Sequence, residues 1–63
     1  MPWNPHYYPP AMKHLPEPVR LKAIEIANAL LADHHPEGQA IRMAIAAARE
    51  WARRHLDGVA GRD

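Results

Sequence analysis

The stretch LLADHHPEGQAI, from Leu30 to Ile41, decides the fold of this chain because it separates two helical patterns. Pro36 suits the first turn of a helix but not its interior, and Glu37 places a carboxylate where the helix dipole favours it. His34 precedes this start, and histidine is among the few residues enriched at the positive φ that closes many helices. We therefore expect His34 to end one helix with a positive φ and the next helix to begin at Pro36.

Both flanking patterns are amphipathic. They predict one helix over residues 17–34 and a second over residues 36–56, since apolar side chains recur at helical spacing. Two helices joined by so few residues must be antiparallel neighbours. Facing alanines let the helix axes approach closely but bury little area, so large aromatic side chains are needed to close the core. The predicted core comprises Trp3, Ile24, Ala27, Leu30, Leu31, Ile41, Ala44, Ala48 and Trp51.

Residues 1–16 form a proline-rich arm, and Pro36 is the one proline of seven that lies beyond residue 18. Prolines exclude a long helix from this arm, but its recurring aromatic groups indicate that it is ordered against the hairpin. A short helical turn is expected from Pro10 to His14. Asn28 lies at the edge of the apolar arc of helix 1, where its amide either bonds a neighbouring backbone or is solvated. The predicted fold is all-α, a two-helix hairpin with an ordered arm, in one domain over 1–57 with a flexible tail over 58–63.

The composition limits the classes of function. A chain of 63 residues with no cysteine has no disulfides or thiolate metal sites, which fits a reducing cytoplasm. No apolar run reaches the roughly 18 residues of a membrane span, and the first ten residues lack the features of a signal peptide. We therefore expect a cytoplasmic protein that does not contact a membrane.

The adjacent histidines His34 and His35 are weak candidates for a metal site. Metal ligands on a helix converge at i,i+4 spacing, whereas adjacent side chains point in different directions. The chain contains no Cys, Ser or Thr, its glutamates form no recognisable acid–base pair, and it has no glycine-rich phosphate loop. The sequence predicts no enzyme activity, no catalytic residues, no metal and no cofactor.

Two classes of binding function remain. Arg42, Arg49 and Arg53 fall within about 40° on the wheel of helix 2, a basic stripe that is either a solvated face or a phosphate-binding face. Alternatively, the apolar face of each helix is wider than the area that one neighbouring helix can bury. Leu21, Met43 and Ile45 lie at the edges of these faces, where they could contact another chain. We expect a non-enzymatic interaction module that binds another protein or a second copy of itself. Weak nucleic-acid binding by the arginine stripe is the alternative.

Three segments of the sequence resemble a known family. The strings MPW, YPPAMKHLPEPVRLKAIEIANALL and EGQAIRMAIAAAREWA resemble the N-terminal module of YdaT-like small bacterial proteins and, more distantly, the ChaB-like putative cation transport regulators. The resemblance covers roughly residues 1 to 52. It implies a small, mainly helical bacterial protein without known enzyme activity, and some relatives are linked to general stress responses.

Overall fold

The computed structural model describes residues 2–55, which form an antiparallel pair of helices preceded by a folded arm. The arm contains a 3-10 helix over Pro10–Met12, and the two helices are α1 at Glu17–Ala32 and α2 at Glu37–His55. The all-α hairpin with a short helical turn in its N-terminal arm is confirmed. The predicted tail over 58–63 lies outside the described residues, as do positions 1, 56 and 57.

The helix boundaries follow from local backbone chemistry. The α1 helix begins at Glu17, and the Pro16 carbonyl accepts from the Arg20 N–H at 2.8 Å. It ends at Ala32, two residues before the predicted 34, because the backbone has left helical geometry by His34.

The second helix begins one residue later than predicted. Glu37 is the first residue of α2, and the Pro36 carbonyl accepts from the Ala40 N–H at 2.8 Å. Pro36 therefore stands at the N-cap, where a residue contributes its carbonyl to the helix and its missing N–H costs nothing. The predicted end at position 56 falls beyond the described part of the chain, in which α2 extends to His55.

The arm is joined to α1 by the side chain of Asn28. Its Nδ2 donates to the Trp3 carbonyl at 2.9 Å, and its Oδ1 accepts from the Trp3 N–H at 3.2 Å. Asn28 is buried, so of its two predicted roles the structure shows the backbone-bonding one. Asn4 and Tyr7 exchange two backbone hydrogen bonds, of 2.8 and 3.0 Å, which close a tight turn before the 3-10 helix. That helix ends at Met12, short of the predicted His14.

The core lies where the arm crosses the helix pair. It combines large side chains from the arm with alanines at four-residue spacing on both helices, and Met12 is its largest fully buried side chain. The buried members are Trp3, Met12, Leu15, Val19, Ala23, Ile24, Ala27, Ala44 and Ala48.

Four of the residues predicted for the core are less buried than the rest of that set. Leu30, Leu31 and Ile41 are half-buried and pack against the core cluster. Trp51 is also half-buried but is not part of this cluster, and Lys22 Nζ lies over the face of its ring.

Candidate interaction groove

The histidine pair belongs to the cap of α1. His34 has φ of 70°, as predicted, and its N–H donates to the Leu31 carbonyl at 3.0 Å. The His35 N–H donates to the Leu30 carbonyl at 3.0 Å. These two bonds and the left-handed residue define a Schellman motif, which satisfies carbonyls at a helix end. The chain thus reverses direction through the backbone of both histidines.

The side chains of the pair have separate surroundings. His34 is exposed, whereas His35 is half-buried and its Nε2 lies 3.8 Å from Asp33 Oδ2. Among residues 2–55, no three His, Cys, Asp or Glu side chains come together as a metal-binding group.

The arginine stripe divides into two parts in the structure. Arg42, Arg49 and Arg53 are all exposed on α2. Arg49 and Arg53 line a shallow groove of about 570 Å³ beside His14 and Pro16, and Arg42 does not line it. The predicted residues therefore lie on one helix face without converging on one concave site.

Glu50 neutralises part of this basic surface. Its two carboxylate oxygens accept from the Arg53 guanidinium and, at 3.2 Å, from Arg54 Nε. These hydrogen bonds, Arg53's first, hold the pKa of Glu50 below its usual value because they favour the charged carboxylate. At the end of α2, two arginines thus share one carboxylate.

A larger concave surface runs along α1, and we call it the α1 groove. It is open to solvent, has a volume of about 740 Å³ and is mainly apolar where α1 supplies Ile26, Ala29 and Leu30. Trp51 is the residue that α2 contributes. The full lining is Lys22, Glu25, Ile26, Ala29, Leu30, Ala32, Asp33 and Trp51.

Charged groups mark the two ends of the α1 groove. At one end, Lys22 Nζ lies 5.0 Å from the centroid of the Trp51 ring and 3.1 Å from Glu25 Oε1. A cation over an aromatic face is attracted by the ring quadrupole. The His55 ring stacks on Trp51 with centroids 5.6 Å apart, so the indole has defined contacts on this rim. Asp33 stands at the other end, and its side chain is 82% exposed.

The margin residues predicted for a partner surface lie elsewhere. Leu21 and Met43 are each 40% exposed, and Ile45 is half-buried against the core. None of them lines the α1 groove. Helical spacing places Lys22, Ile26, Ala29 and Asp33 on one face of α1. It does not show the second wall of the groove, because that wall is Trp51 of α2, which was identified as a core residue.

No helix within residues 2–55 is long and apolar enough to cross a membrane. The described residues define a class of protein: a small helical hairpin with an N-terminal arm packed against it. An open groove runs along its first helix.

Over 52 residues, the chain is 50% identical to the uncharacterized protein YdaT of Bacillus subtilis (strain 168), and the match covers 82% of this chain and 35% of that protein. The identity supports a YdaT-like relationship, with the chain spanning about a third of the length of the curated relative. No family model and no solved structure matches the chain.

Proposed function

We propose that this chain is a non-enzymatic interaction module and that the α1 groove is its binding surface. The observation that carries the proposal is the apolar floor of Ile26, Ala29 and Leu30, left open between a charged rim and the Trp51 wall. Aromatic anchors beside an apolar centre, with polar groups at the rim, are typical of protein interfaces. The absence of Cys, Ser and Thr from the sequence supports a role without covalent catalysis.

The proposed setting is the bacterial cytoplasm, whose reducing conditions suit a chain without cysteine. A link to stress responses, and a distant one to ChaB-like proteins, stay predictions of the sequence resemblance.

Site-specific photo-crosslinking in native cells tests the module. A benzophenone amino acid at Ala29, which is exposed within the groove, should give discrete adducts with one protein identified by mass spectrometry. The matched control carries the same group at Gln39, which is exposed on α2 outside the groove. Equal adducts from both positions, or none from Ala29, would contradict the proposal.

Weak nucleic-acid binding is the second candidate, favoured by the exposure of Arg42 and Arg49 on α2. Lysine and arginine contacts to phosphates release counterions, so such binding weakens steeply with salt. Fluorescence anisotropy with labelled single and duplex strands should show binding at low salt, and the double variant Arg42→Gln with Arg49→Gln should weaken it. Binding that is absent at low salt, or insensitive to salt, excludes this function.

A further inference from the structure

We infer that the α1 groove binds a second copy of this chain, with the two α1 helices antiparallel across a twofold axis. This inference rests on the proposed function and names the partner of the same surface. It is carried by a symmetry in the residues that α1 contributes to the groove.

The groove residues of α1 follow the spacing of a helix–helix seam. Lys22, Ile26, Ala29 and Asp33 are separated by four, three and four residues, the alternation that keeps side chains facing a partner helix in a coiled coil. Lys22 and Asp33 are equally distant from the middle of this segment, and so are Ile26 and Ala29. An antiparallel copy therefore places each residue of the seam opposite its symmetric counterpart.

The charges select the antiparallel arrangement. A parallel pair would place Lys22 against Lys22 and Asp33 against Asp33, and like charges facing each other disfavour that pairing. An antiparallel pair places Lys22 of each copy against Asp33 of the other, which gives two intermolecular ion pairs. Such pairs determine orientation and partner choice more than affinity, because exposed ion pairs contribute little free energy.

The apolar middle of the seam is complementary in size. The larger Ile26 of one copy faces the small Ala29 of the other, twice by symmetry, which lets the helices approach without a clash. Ile26 is half-buried and Ala29 exposed in the single chain, so a second helix would remove both from water. Trp51 stands beside Lys22 and would flank the end of the partner helix that carries Asp33.

Charge reversal tests this pairing. Lys22→Glu alone and Asp33→Lys alone each create two like-charge contacts in a homodimer, so each variant should dimerise at least about tenfold more weakly than the parent. An equimolar mixture of the two variants has opposite charges at both contacts and should form heterodimers. Lys22 and Asp33 are about 16 Å apart along one helix, so recovery in the mixture cannot come from a contact within one chain.

The measurement is sedimentation velocity over the micromolar to millimolar range, with native mass spectrometry to identify the heterodimer. Lys13→Glu makes the same charge change as Lys22→Glu on an exposed arm residue outside the groove, and it should dimerise as the parent does. Ala29→Arg fills the middle of the groove and should abolish dimerisation, while circular dichroism shows an intact hairpin.

Three outcomes overturn the second copy as partner: a parent chain that stays monomeric, a mixture that forms no heterodimer, or Ala29→Arg dimerising as the parent does. If the parent is monomeric and Ala29 crosslinks to a different protein, the α1 groove is still a binding surface, but its partner is that protein and not a second copy. If the parent is monomeric and Ala29 gives no adducts, both the proposed function and the dimer are contradicted.

Discussion

His34 is the residue at which the chain accepts unfavourable backbone geometry in order to reverse direction. A residue with a Cβ at φ of 70° is crowded by its own backbone, whereas glycine adopts this conformation freely. The Schellman bonds from His34 and His35 hold the backbone in place despite that cost. The imidazole of His34 is exposed and takes no part in the two bonds, so the stabilising part of this residue is its N–H.

Replacing His34 with glycine should therefore stabilise the hairpin. His34→Gly keeps both Schellman hydrogen bonds and removes the Cβ penalty, and the free energy of unfolding should rise by about 0.5–1 kcal/mol. Chemical denaturation at one protein concentration measures the change. His35→Gly is the matched control, because positive φ occurs at His34 but not at His35. A His34→Gly variant less stable than the parent would show that the imidazole contributes to the fold.

Asn28 satisfies both backbone groups of Trp3 with a single side chain. Asn28→Ala leaves a buried N–H and a buried carbonyl without their partners, and stability should fall by about 1–3 kcal/mol. Gln39→Ala removes a similar amide from an exposed site and should change stability by less than about 0.5 kcal/mol. Thermal melts of the two variants beside the parent make the comparison, and equal melting temperatures would contradict this role of Asn28.

At the scale of the elements, the sequence predicts a helix boundary most accurately where a single residue determines it through its own backbone. Pro36 and His34 act through their own backbone, so the end of α1, the start of α2 and the reversal between them were predictable to within two residues. Trp51 was predicted to be a core residue because a helical wheel shows the direction in which a side chain points. The wheel does not show which other residues bury that side chain. Ala44 and Ala48 of α2 occupy the close contact in the core, and the larger indole is half-buried outside that cluster.

Met12, in the arm, is a second residue whose burial could not be predicted from sequence periodicity. It is the largest fully buried side chain, yet the prolines around it remove the periodicity that marks a buried position in a helix. Its burial depends on where the arm crosses the hairpin, which is a tertiary relation. The α1 groove was likewise hidden, because its second wall comes from α2.

The end of α2 should respond to acid through Glu50. Arg53 and Arg54 lower the pKa of Glu50 from its usual value. The ion pairs therefore stabilise the helix end at pH values above that usual pKa, and the effect is lost as pH falls through the lowered pKa. The double variant Arg53→Gln with Arg54→Gln should raise the Glu50 pKa toward its usual value. Carboxyl NMR titration measures it.

The control for that titration removes the same charge from the same helix. Arg42→Gln with Arg49→Gln leaves both hydrogen bonds to Glu50 in place and should shift its pKa much less. If both double variants raise the pKa of Glu50 equally, the overall positive charge of α2 lowers that pKa, and the hydrogen bonds from Arg53 and Arg54 do not.

At the scale of the whole molecule, the arm supplies large apolar side chains to a core in which the two helices contribute many alanines. Trp3, Met12 and Leu15 are buried among small side chains of α1 and α2. Truncating a buried tryptophan to alanine typically costs about 3–5 kcal/mol. A domain of this size has a total stability of only about 3–9 kcal/mol, so the loss of one such side chain removes much of it.

Removing residues 1–9 should therefore abolish cooperative melting of the chain. The deletion takes away Trp3 and leaves the buried amide of Asn28 without both of its backbone partners, so the hairpin loses apolar burial and hydrogen bonds together. Circular dichroism should show a broad, gradual loss of helix in place of a sigmoidal transition. Tyr7→Ala changes a residue of the same arm that is 68% exposed and should preserve the transition. An unchanged melt after the deletion would mean that the helices, or a second copy packed in the α1 groove, hold the hairpin together without the arm.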